Sequence, residues 1–420
     1  MSEAYDDLGP AVPLEVDPLL DDPDTRIVVC CGAGGVGKTT TAAALGVRAA
    51  ERGRRAVVLT IDPARRLAQS MGLEELDNTP RRVPDIGADG GELHAMMLDM
   101  KRTFDEIVEA HADPERARAI LDNPFYQSLS AGFAGTQEYM AMEKLGQLRS
   151  RDEWDLIVVD TPPSRSALDF LDAPSRLSSF LDGRFIRVLS APAKAGGRAG
   201  MKFVNLGMAG LSMFTGVLNK LLGAGLLRDV QTFVAAMDTM FGGFRTRADA
   251  TYQLLQAPGT AFLVVAAPER DALREATYFV DRLKEDRMPL AGLVLNRVHG
   301  SEVDLTAERA LAAAQALEEL TPEGEGSEDP EELTTPQEDA QERANTLAAG
   351  LLRVHAERMR VVARERRTWD RFGALHPEVP VVEVAALAED VHDLAALRSI
   401  GERLAGQEPK ATEGSGWEGD

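Results

Sequence analysis

Apolar runs recur along the chain and alternate with segments of helical periodicity. The runs that we expect to form strands are 26–31, 56–62, 92–100, 154–160, 261–267, 290–296 and 379–384. Runs without regularly alternating polar positions are typical of a parallel sheet, because helices cover both of its faces. The pattern therefore predicts an α/β fold, a doubly wound and mostly parallel sheet with helices between successive strands.

Two insertions interrupt this alternation. The first, at about 174–252, has a helical pattern and is rich in Gly, Leu and Met; the second contains an acidic loop at about 318–342 with eleven acids and no base. We expect this loop to be disordered, because its charges repel one another and it has little apolar surface to bury. We accordingly assign 1–25 to an N-terminal extension, 26–407 to one domain with both insertions, and 408–420 to a disordered tail.

Composition narrows the function classes. The 420 residues carry a net charge of −22. This charge repels nucleic-acid backbones, so we expect no nucleic-acid partner. The two cysteines, Cys30 and Cys31, are adjacent in a predicted buried strand, which excludes a disulfide framework and fits a reducing compartment. The uncharged stretch 203–219 falls short of the roughly 18 residues of a membrane span, and no signal peptide is evident. We therefore expect a cytoplasmic protein, with peripheral association with a membrane as an open alternative.

The first strand leads into CGAGGVGKTTT at 31–41, which contains the pattern G-x-x-x-x-G-K-[ST]. Glycines at these positions let backbone amides approach phosphate oxygens, and the helix that follows favours an anion at its N-terminus. Lys38 would reach the outer phosphates, and the Thr39 hydroxyl would complete the ligand shell of a Mg²⁺ ion. We assign nucleotide binding to the following residues of this loop: Gly32, Ala33, Gly34, Gly35, Val36, Gly37, Lys38, Thr39 and Thr40.

Two carboxylates end predicted strands and are candidates for the chemistry. Asp62 can orient a water at the terminal phosphate, and it can also cap the helix that starts at Pro63; the two roles are compatible. Asp160 closes an apolar strand, which is the pattern of a residue that supports Mg²⁺. The proline-rich residues after it form a stiff loop that could sense the terminal phosphate.

Asn296 ends another predicted strand, where a side-chain amide can pair with the edge of an adenine. The guanine-reading pattern N-K-x-D would need Asp at the position of His299, so the sequence favours ATP over GTP. A strand-end Asn that caps a turn is the alternative interpretation.

These motifs, in the order GAGGVGKTT, TIDPARRL, VVDTPPSRSALDFL, APE and VLNRV, resemble the ArsA-type ATPase family. That family contains the arsenical-pump ATPases and the ATPases that deliver tail-anchored membrane proteins. The resemblance covers about 26–301 and 379–404, and it is nearest to the paired actinobacterial members known as anion-transporting ATPases.

The resemblance implies a Mg²⁺-dependent ATPase of the deviant Walker A class, a P-loop NTPase that acts as a nucleotide-gated dimer. It makes Lys38 and Asp62 catalytic, and it makes Thr39 and Asp160 the residues that support the metal. It also implies that three further residues contact the nucleotide: Glu269, Asn296 and Pro380.

One departure from the family pattern concerns Ala33. The family loop reads G-K-G-G-x-G-K-[ST], and its first lysine crosses the dimer to the partner's phosphates, whereas this chain has Ala33 there. The resemblance therefore implies a heterodimer with a lysine-bearing paralogue. In the alternative interpretation, Ala33 marks an ordinary phosphate loop that is completed by a local cation.

The sequence does not decide which partners the protein binds. The segment 184–240 is basic at its start and Met-rich after it, which fits an apolar protein client or a membrane-associated partner, and equally fits core packing or a dimer contact. The cysteines are too few and wrongly placed for an arsenite site or a zinc clasp. A positioning ATPase of MinD or ParA type is the main alternative function, and a small-molecule kinase is the third.

Overall fold

The computed structural model describes residues 12–61, 65–87, 90–124, 126–127, 137–162, 233, 241–320 and 336–407. Within them, eight strands form one sheet: β1 Ile27–Gly32, β2 Arg55–Thr60, β3 Arg81–Arg82, β4 Glu92–Met97, β5 Leu156–Asp160, β6 Thr260–Ala266, β7 Leu290–Val298 and β8 Val381–Ala385. The order across the sheet is β3-β4-β2-β5-β1-β6-β7-β8, and every pairing is parallel except that of β3 with β4. The predicted doubly wound, mostly parallel sheet is therefore confirmed. The short β3 has no apolar run and was not predicted.

Helices cover both faces of this sheet. In the described part of the chain they are α1 Val16–Asp21, α2 Lys38–Glu51, α3 Arg65–Ser70, α4 Met100–His111, α5 Pro114–Leu121, α6 Gln137–Arg151, α7 Phe241–Gln256, α8 Arg270–Glu285, α9 Ala307–Glu319, α10 Pro336–Leu375 and α11 Leu394–Leu404. Among these described helices, none has the length and apolar character needed to cross a membrane.

The central strand shows why the apolar runs are continuous. Side chains of β1 alternate between two hydrophobic clusters, with Val29 in the cluster that includes residues of α4 to α8 and Val28 in the cluster that includes residues of α1, α2 and α11. All six residues of β1 are buried. Because both faces are covered, a polar residue in the middle of the strand would lose its contact with water on either side.

The strand order places a binding crevice at the carboxyl end of β1. Strand β1 pairs with β5 on one side and with β6 on the other, and all three run in the same direction. The chain winds from β1 towards β2 on the β5 side, while β6, β7 and β8 follow on the opposite side. In open parallel sheets, ligands bind at the carboxyl ends of strands where the winding direction changes in this way.

The described part of the N-terminal extension belongs to the fold. The Leu14 amide donates to the Val381 carbonyl at 2.8 Å, and the Val381 amide donates to the Val12 carbonyl at 2.8 Å. Helix α1 is tied to α2 by the ion pair between Asp17 and Arg48. Residues 12–25 thus cover the β8 edge of the sheet and one end of α2, rather than extending from the domain.

The two insertions are described in part. Helix α7 forms the end of the first insertion, while 163–232 and 234–240 lie outside the described residues. In the second, α9 ends at Glu319 and α10 begins at Pro336, so both ends of the expected acidic loop are helical. The intervening 321–335 and the expected tail 408–420 lie outside the described residues.

A buried guanidinium joins the N-terminal segment to the sheet. Arg54 is 9 % exposed, and its Nη1 and Nη2 atoms donate to backbone carbonyls of Leu20, Asp22, Thr25 and Asp155 at 2.5–3.1 Å. Burial lowers the pKa of Arg54, and these carbonyl contacts offset the cost of burying its charge.

We expect Arg54→Met to lower the free energy of unfolding by about 2–4 kcal/mol, because several buried carbonyls lose their donor together. Urea unfolding followed by circular dichroism measures this loss. Arg55→Met is the matched control, since Arg55 is an exposed neighbour paired with Asp155, and it should change stability much less. Equal losses for the two variants would contradict this role of Arg54.

Candidate functional site

The phosphate loop, residues 32–39, begins with a close contact between two strands. A Cβ atom at Gly32 would lie 2.1 Å from the Val265 carbonyl oxygen of β6, so no larger residue fits there. At the other end, Gly37 has φ +95° and precedes the first residue of α2. Glycine is the residue that adopts this left-handed backbone without strain. The loop therefore turns sharply from β1 into the N-terminus of α2, which favours an anion.

Lys38 closes the loop on itself. Lys38 is only 6 % exposed, and its Nζ donates to the Ala33 carbonyl at 2.7 Å. This contact holds the ammonium group against the backbone of the loop. The predicted contact of Lys38 with the outer phosphates stays a prediction.

Two hydroxyl side chains, from α2 and β2, meet at the buried carboxylate of Asp160 on β5. Its Oδ2 accepts from the Thr39 hydroxyl of α2 at 2.7 Å and from the Thr60 hydroxyl of β2 at 2.9 Å. Asp160 is 0 % exposed. Burial of the adjacent Cys30 thiol raises its pKa, and the negative charge of Asp160 raises it further. The thiol therefore stays protonated. Carboxylate and hydroxyl oxygens are hard ligands, so this donor set fits Mg²⁺ bound with a nucleotide. Thr60 was not among the predicted residues.

Asn296 lies against the phosphate loop. Its Nδ2 donates to the Val36 carbonyl at 2.8 Å, and its Oδ1 accepts from the Arg297 amide at 3.0 Å. The same amide nitrogen occupies the space beside Gly37, where a Cβ atom would lie 2.3 Å away. In this structure the side chain thus supports the loop backbone, and its predicted contact with adenine stays a prediction.

A cavity of about 570 Å³ opens beside the loop. Its walls include residues of the loop, α2 and α3, the end of β7 with His299 just after it, and 384–392 at and after the end of β8. These segments meet because the carboxyl ends of parallel strands share one edge of the sheet. The segment 384–392 was not identified from the sequence, although it follows a predicted strand at the same edge as the loop.

Pro380 lies at the wrong end of β8 for the predicted nucleotide contact. It immediately precedes the strand, and its carbonyl accepts from the Leu293 amide at 2.8 Å. The five residues of β8 separate it from the edge where the phosphate loop lies, a length of about 16 Å at 3.3 Å per residue. The prediction for Pro380 does not fit this position. The carboxyl end of the same strand faces the cavity instead.

The remaining predicted residues are placed in different ways. Glu269 is exposed and precedes α8 just after β6, so it lies at the same sheet edge as the loop. Asp62 lies outside the described residues, but the preceding Ile61 donates its amide to the Asp160 carbonyl at 3.1 Å. The described chain therefore leaves β2 beside Asp160. The contacts of Glu269 and Asp62 with nucleotide or water stay predictions.

Ala33 has a buried side chain. It is 7 % exposed and belongs to the same hydrophobic cluster as Val36 and Ala43. A lysine at this position would have to leave that cluster to bring its amino group to a partner. Within the single chain, the alanine methyl contributes to packing below the phosphate loop.

We expect Asn296→Ala to weaken the binding of inorganic triphosphate and of ATP by the same factor, about five- to thirtyfold, because the loop loses a backbone contact. Isothermal titration with triphosphate, ATP and GTP measures the three affinities. Asn345→Ala on α10 is the control, since Asn345 accepts from the exposed Gln341 side chain. A loss confined to ATP would contradict loop support and would favour adenine recognition.

Comparison with known proteins identifies the family to which this chain belongs. A family model described as anion-transporting ATPase (ArsA) matches residues 25–320, about 70 % of the chain. The chain is 28 % identical over 284 residues to ATPase GET3 of Podospora anserina, covering 67 % of this chain and 75 % of that protein. It is 29 % identical over 171 residues to ATPase GET3 of Malassezia globosa, covering 41 % and 49 %.

A protein of Halobacterium salinarum, assigned as an arsenical pump-driving ATPase, is 30 % identical over 183 residues, which cover 41 % of this chain and 27 % of that protein. The matched residues 25–320 include the phosphate loop, Asp160 and Asn296. The chain therefore belongs to the ArsA family of anion-transporting ATPases, enzymes that hydrolyse ATP.

Proposed function

We propose that this chain hydrolyses ATP with Mg²⁺ and that hydrolysis opens and closes a dimer which delivers or releases a client or membrane partner. The observation that carries the proposal is that Lys38 and Thr39, at the start of α2, lie at the same sheet edge as Asp160, at the end of β5, with Thr39 bonded to Asp160. A phosphate loop, a buried hydroxyl–carboxylate pair and an adjacent cavity are the parts that phosphoryl transfer to water requires.

Each residue would have a definite task. The backbone amides of the phosphate loop and the Lys38 ammonium bind the outer phosphates and spread their negative charge. Thr39 and Asp160 would hold Mg²⁺, which supplies charge neutralisation when bound. Asp62 follows Ile61 beside Asp160 and would orient the attacking water. Asn296 would support the backbone of the phosphate loop, and 384–392 would enclose the base side of the nucleotide.

The dimer in this proposal is a heterodimer with a lysine-bearing paralogue. Ala33 supplies no cation, and its side chain is buried under the loop. A cation donated in trans to departing phosphate contributes about 10³–10⁵-fold to the rate in related phosphoryl-transfer enzymes. Pairing with a paralogue would complete the site of this chain, and the paralogue's own site would lack the cation. One fast and one slow site would result.

We expect Asp62→Asn to reduce ATP turnover by about 10²-fold or more while leaving ATP affinity near that of the wild type, because water orientation is lost and phosphate contacts remain. Lys38→Ala should reduce both ATP turnover and ATP affinity, since it removes a phosphate ligand. Phosphate release and equilibrium binding of a fluorescent ATP analogue separate the two effects. The control is Lys101→Ala, which removes the lysine of an exposed ion pair on α4. Unchanged turnover in both active-site variants would contradict the proposal.

We expect the isolated chain to hydrolyse ATP slowly and to gain about 10³-fold or more when the paralogue is added, since the missing cation arrives with the partner. Replacing the paralogue's loop lysine with alanine should abolish that gain without preventing association. Steady-state phosphate release with and without the paralogue checks both statements. Full-rate turnover by the isolated chain would refute the heterodimer and favour a local cation.

A further inference from the structure

Strand β7 ends in a bulge at the edge of the cavity beside the phosphate loop. Its pairing with β8 shifts register between Asn296 and Val298, and Arg297 has a left-handed φ of +63°. A bulge changes the direction of the side chains near it, and strained backbone of this kind is common beside binding sites. Both Arg297 and His299, which follows the strand, line the cavity.

A carboxylate of α10 holds the His299 ring. Glu365 Oε1 lies 2.6 Å from His299 Nδ1, and Glu365 Oε2 accepts from the His299 amide at 3.0 Å. Helix α10 is attached to the same segment by Arg358, whose Nε donates to the Gly300 carbonyl at 2.7 Å. The Glu365 side chain is 14 % exposed and the His299 side chain is 45 % exposed. The ring is thus fixed from one side and accessible from another.

This pair determines which ring nitrogen carries the proton. An ionised carboxylate can only accept hydrogen bonds, so the neutral imidazole carries its proton on Nδ1, which faces Glu365. The other nitrogen, Nε2, then has a lone pair and no proton. Within the described residues, the ring makes no hydrogen bond besides the one to Glu365. Nε2 is therefore an acceptor that a ligand in the cavity can use.

The strand order places His299 at the base end of a bound nucleotide. Asp160, which marks the end where Mg²⁺ and the outer phosphates would lie, is the last residue of β5. His299 follows β7, three strands further across the sheet. At about 4.8 Å between neighbouring strands, the ends of β5 and β7 are about 14 Å apart. Phosphates at the N-terminus of α2 would therefore leave the base near His299 and 384–392, which line the same cavity.

The neighbouring Asn296 is engaged elsewhere. Its Nδ2 donates to the Val36 carbonyl, and its Oδ1 accepts from the Arg297 amide. A side-chain amide that reads an adenine must turn both a donor and an acceptor towards the base. In this structure both of these groups bind the backbone instead. The accessible imidazole of His299 is the better placed group for reading the base.

We propose that His299, held by Glu365, is a specificity-determining residue that accepts a hydrogen bond from the amino group of an adenine base. Adenine has this amino group, a donor, where guanine and hypoxanthine have a carbonyl oxygen. The lone pair of Nε2 attracts the amino group and repels the oxygen. Glu365 is a positioning residue, because it acts through the ring. The inference rests on the proposed function, since it requires a nucleotide in this cavity.

Titration calorimetry with ADP, inosine diphosphate and inorganic pyrophosphate tests the proposal, since an ATPase hydrolyses none of them. We expect the wild type to bind ADP about tenfold more tightly than inosine diphosphate, because a hydrogen bond is exchanged for a repulsive contact. His299→Ala should bring this ratio close to one and leave pyrophosphate affinity unchanged. His392→Ala is the matched control. His392 lines the same cavity but has no carboxylate partner in the described chain, so the ratio should stay that of the wild type.

A change of tautomer makes the test specific to the pair. Glu365→Lys places a donor beside Nδ1, so Nδ1 must accept and the ring proton moves to Nε2. Nε2 then donates, and we expect inosine diphosphate to bind at least as tightly as ADP. Glu357→Lys is the control, since it makes the same charge change at an exposed position of α10. A ratio that Glu365→Lys leaves at the wild-type value would contradict the proposal.

Nitrogen NMR reads the tautomer in the folded wild-type chain, with isotope-labelled histidine and at mildly alkaline pH. The His299 signals are those that His299→Ala lacks. We expect a protonated Nδ1, an unprotonated Nε2, and an Nε2 signal that moves when ADP is added but not when pyrophosphate is added. A protonated Nε2 in the free chain, or an Nε2 signal that ADP does not move, would overturn the proposal without any variant of Glu365.

The binding results separate this inference from the proposed function. A His299→Ala chain that keeps the wild-type ratio overturns the inference alone, whatever its rate of ATP hydrolysis. An affinity loss in His299→Ala that is seen with ADP but not with 2′-deoxyADP would assign the ring to the ribose and would also overturn the inference. A wild-type chain that binds neither ADP nor ATP would overturn the inference and the proposed function together.

Discussion

The candidate site depends on the contact between Gly32 and the Val265 carbonyl. Strand β1 can end this close to β6 only because its last residue has no side chain. The close approach lets the chain turn at once into the phosphate loop and directs the N-terminus of α2 at the crevice between β1 and its neighbours. A methyl group at Gly32 would force the strands apart, and the hydroxyl of Thr39 would then lose its register with Asp160 on β5.

The site also illustrates how a fold can bury opposite charges without joining them in a simple pair. Lys38 is held by a backbone carbonyl of its own loop, and Asp160 is held by two hydroxyls from neighbouring elements. Each charge is thus hydrogen-bonded, which limits the cost of removing it from water. A magnesium nucleotide carries charges that are complementary to both groups.

Helix α10 connects this site to the periphery of the molecule. Glu365 binds the backbone of His299, and His299 lines the cavity beside the phosphate loop. A nucleotide that fills the cavity would therefore lie beside a residue that α10 holds in place.

Much of the fold could be predicted because burial on both sheet faces leaves a continuous apolar run, and the long strands were each found that way. The phosphate loop and Asp160 could be predicted because both belong to short motifs in which function depends on neighbours in sequence. Pro380 was misplaced for a related reason. The motif indicated the strand, but the sequence does not indicate which end of β8 faces the nucleotide until the direction of the strand in the sheet is known.

The sequence by itself determined the long strands, the phosphate loop between β1 and α2 and the acidic composition of 318–342. Only the tertiary structure decided that Thr60 joins Asp160, that Asn296 supports the loop, that residues 12–25 cover the β8 edge, and that 384–392 complete the cavity. Periodicity and local motifs indicate which faces of a segment are buried and which residues bind a ligand. They do not indicate which distant segment makes the contact, because that depends on strand order, direction and register.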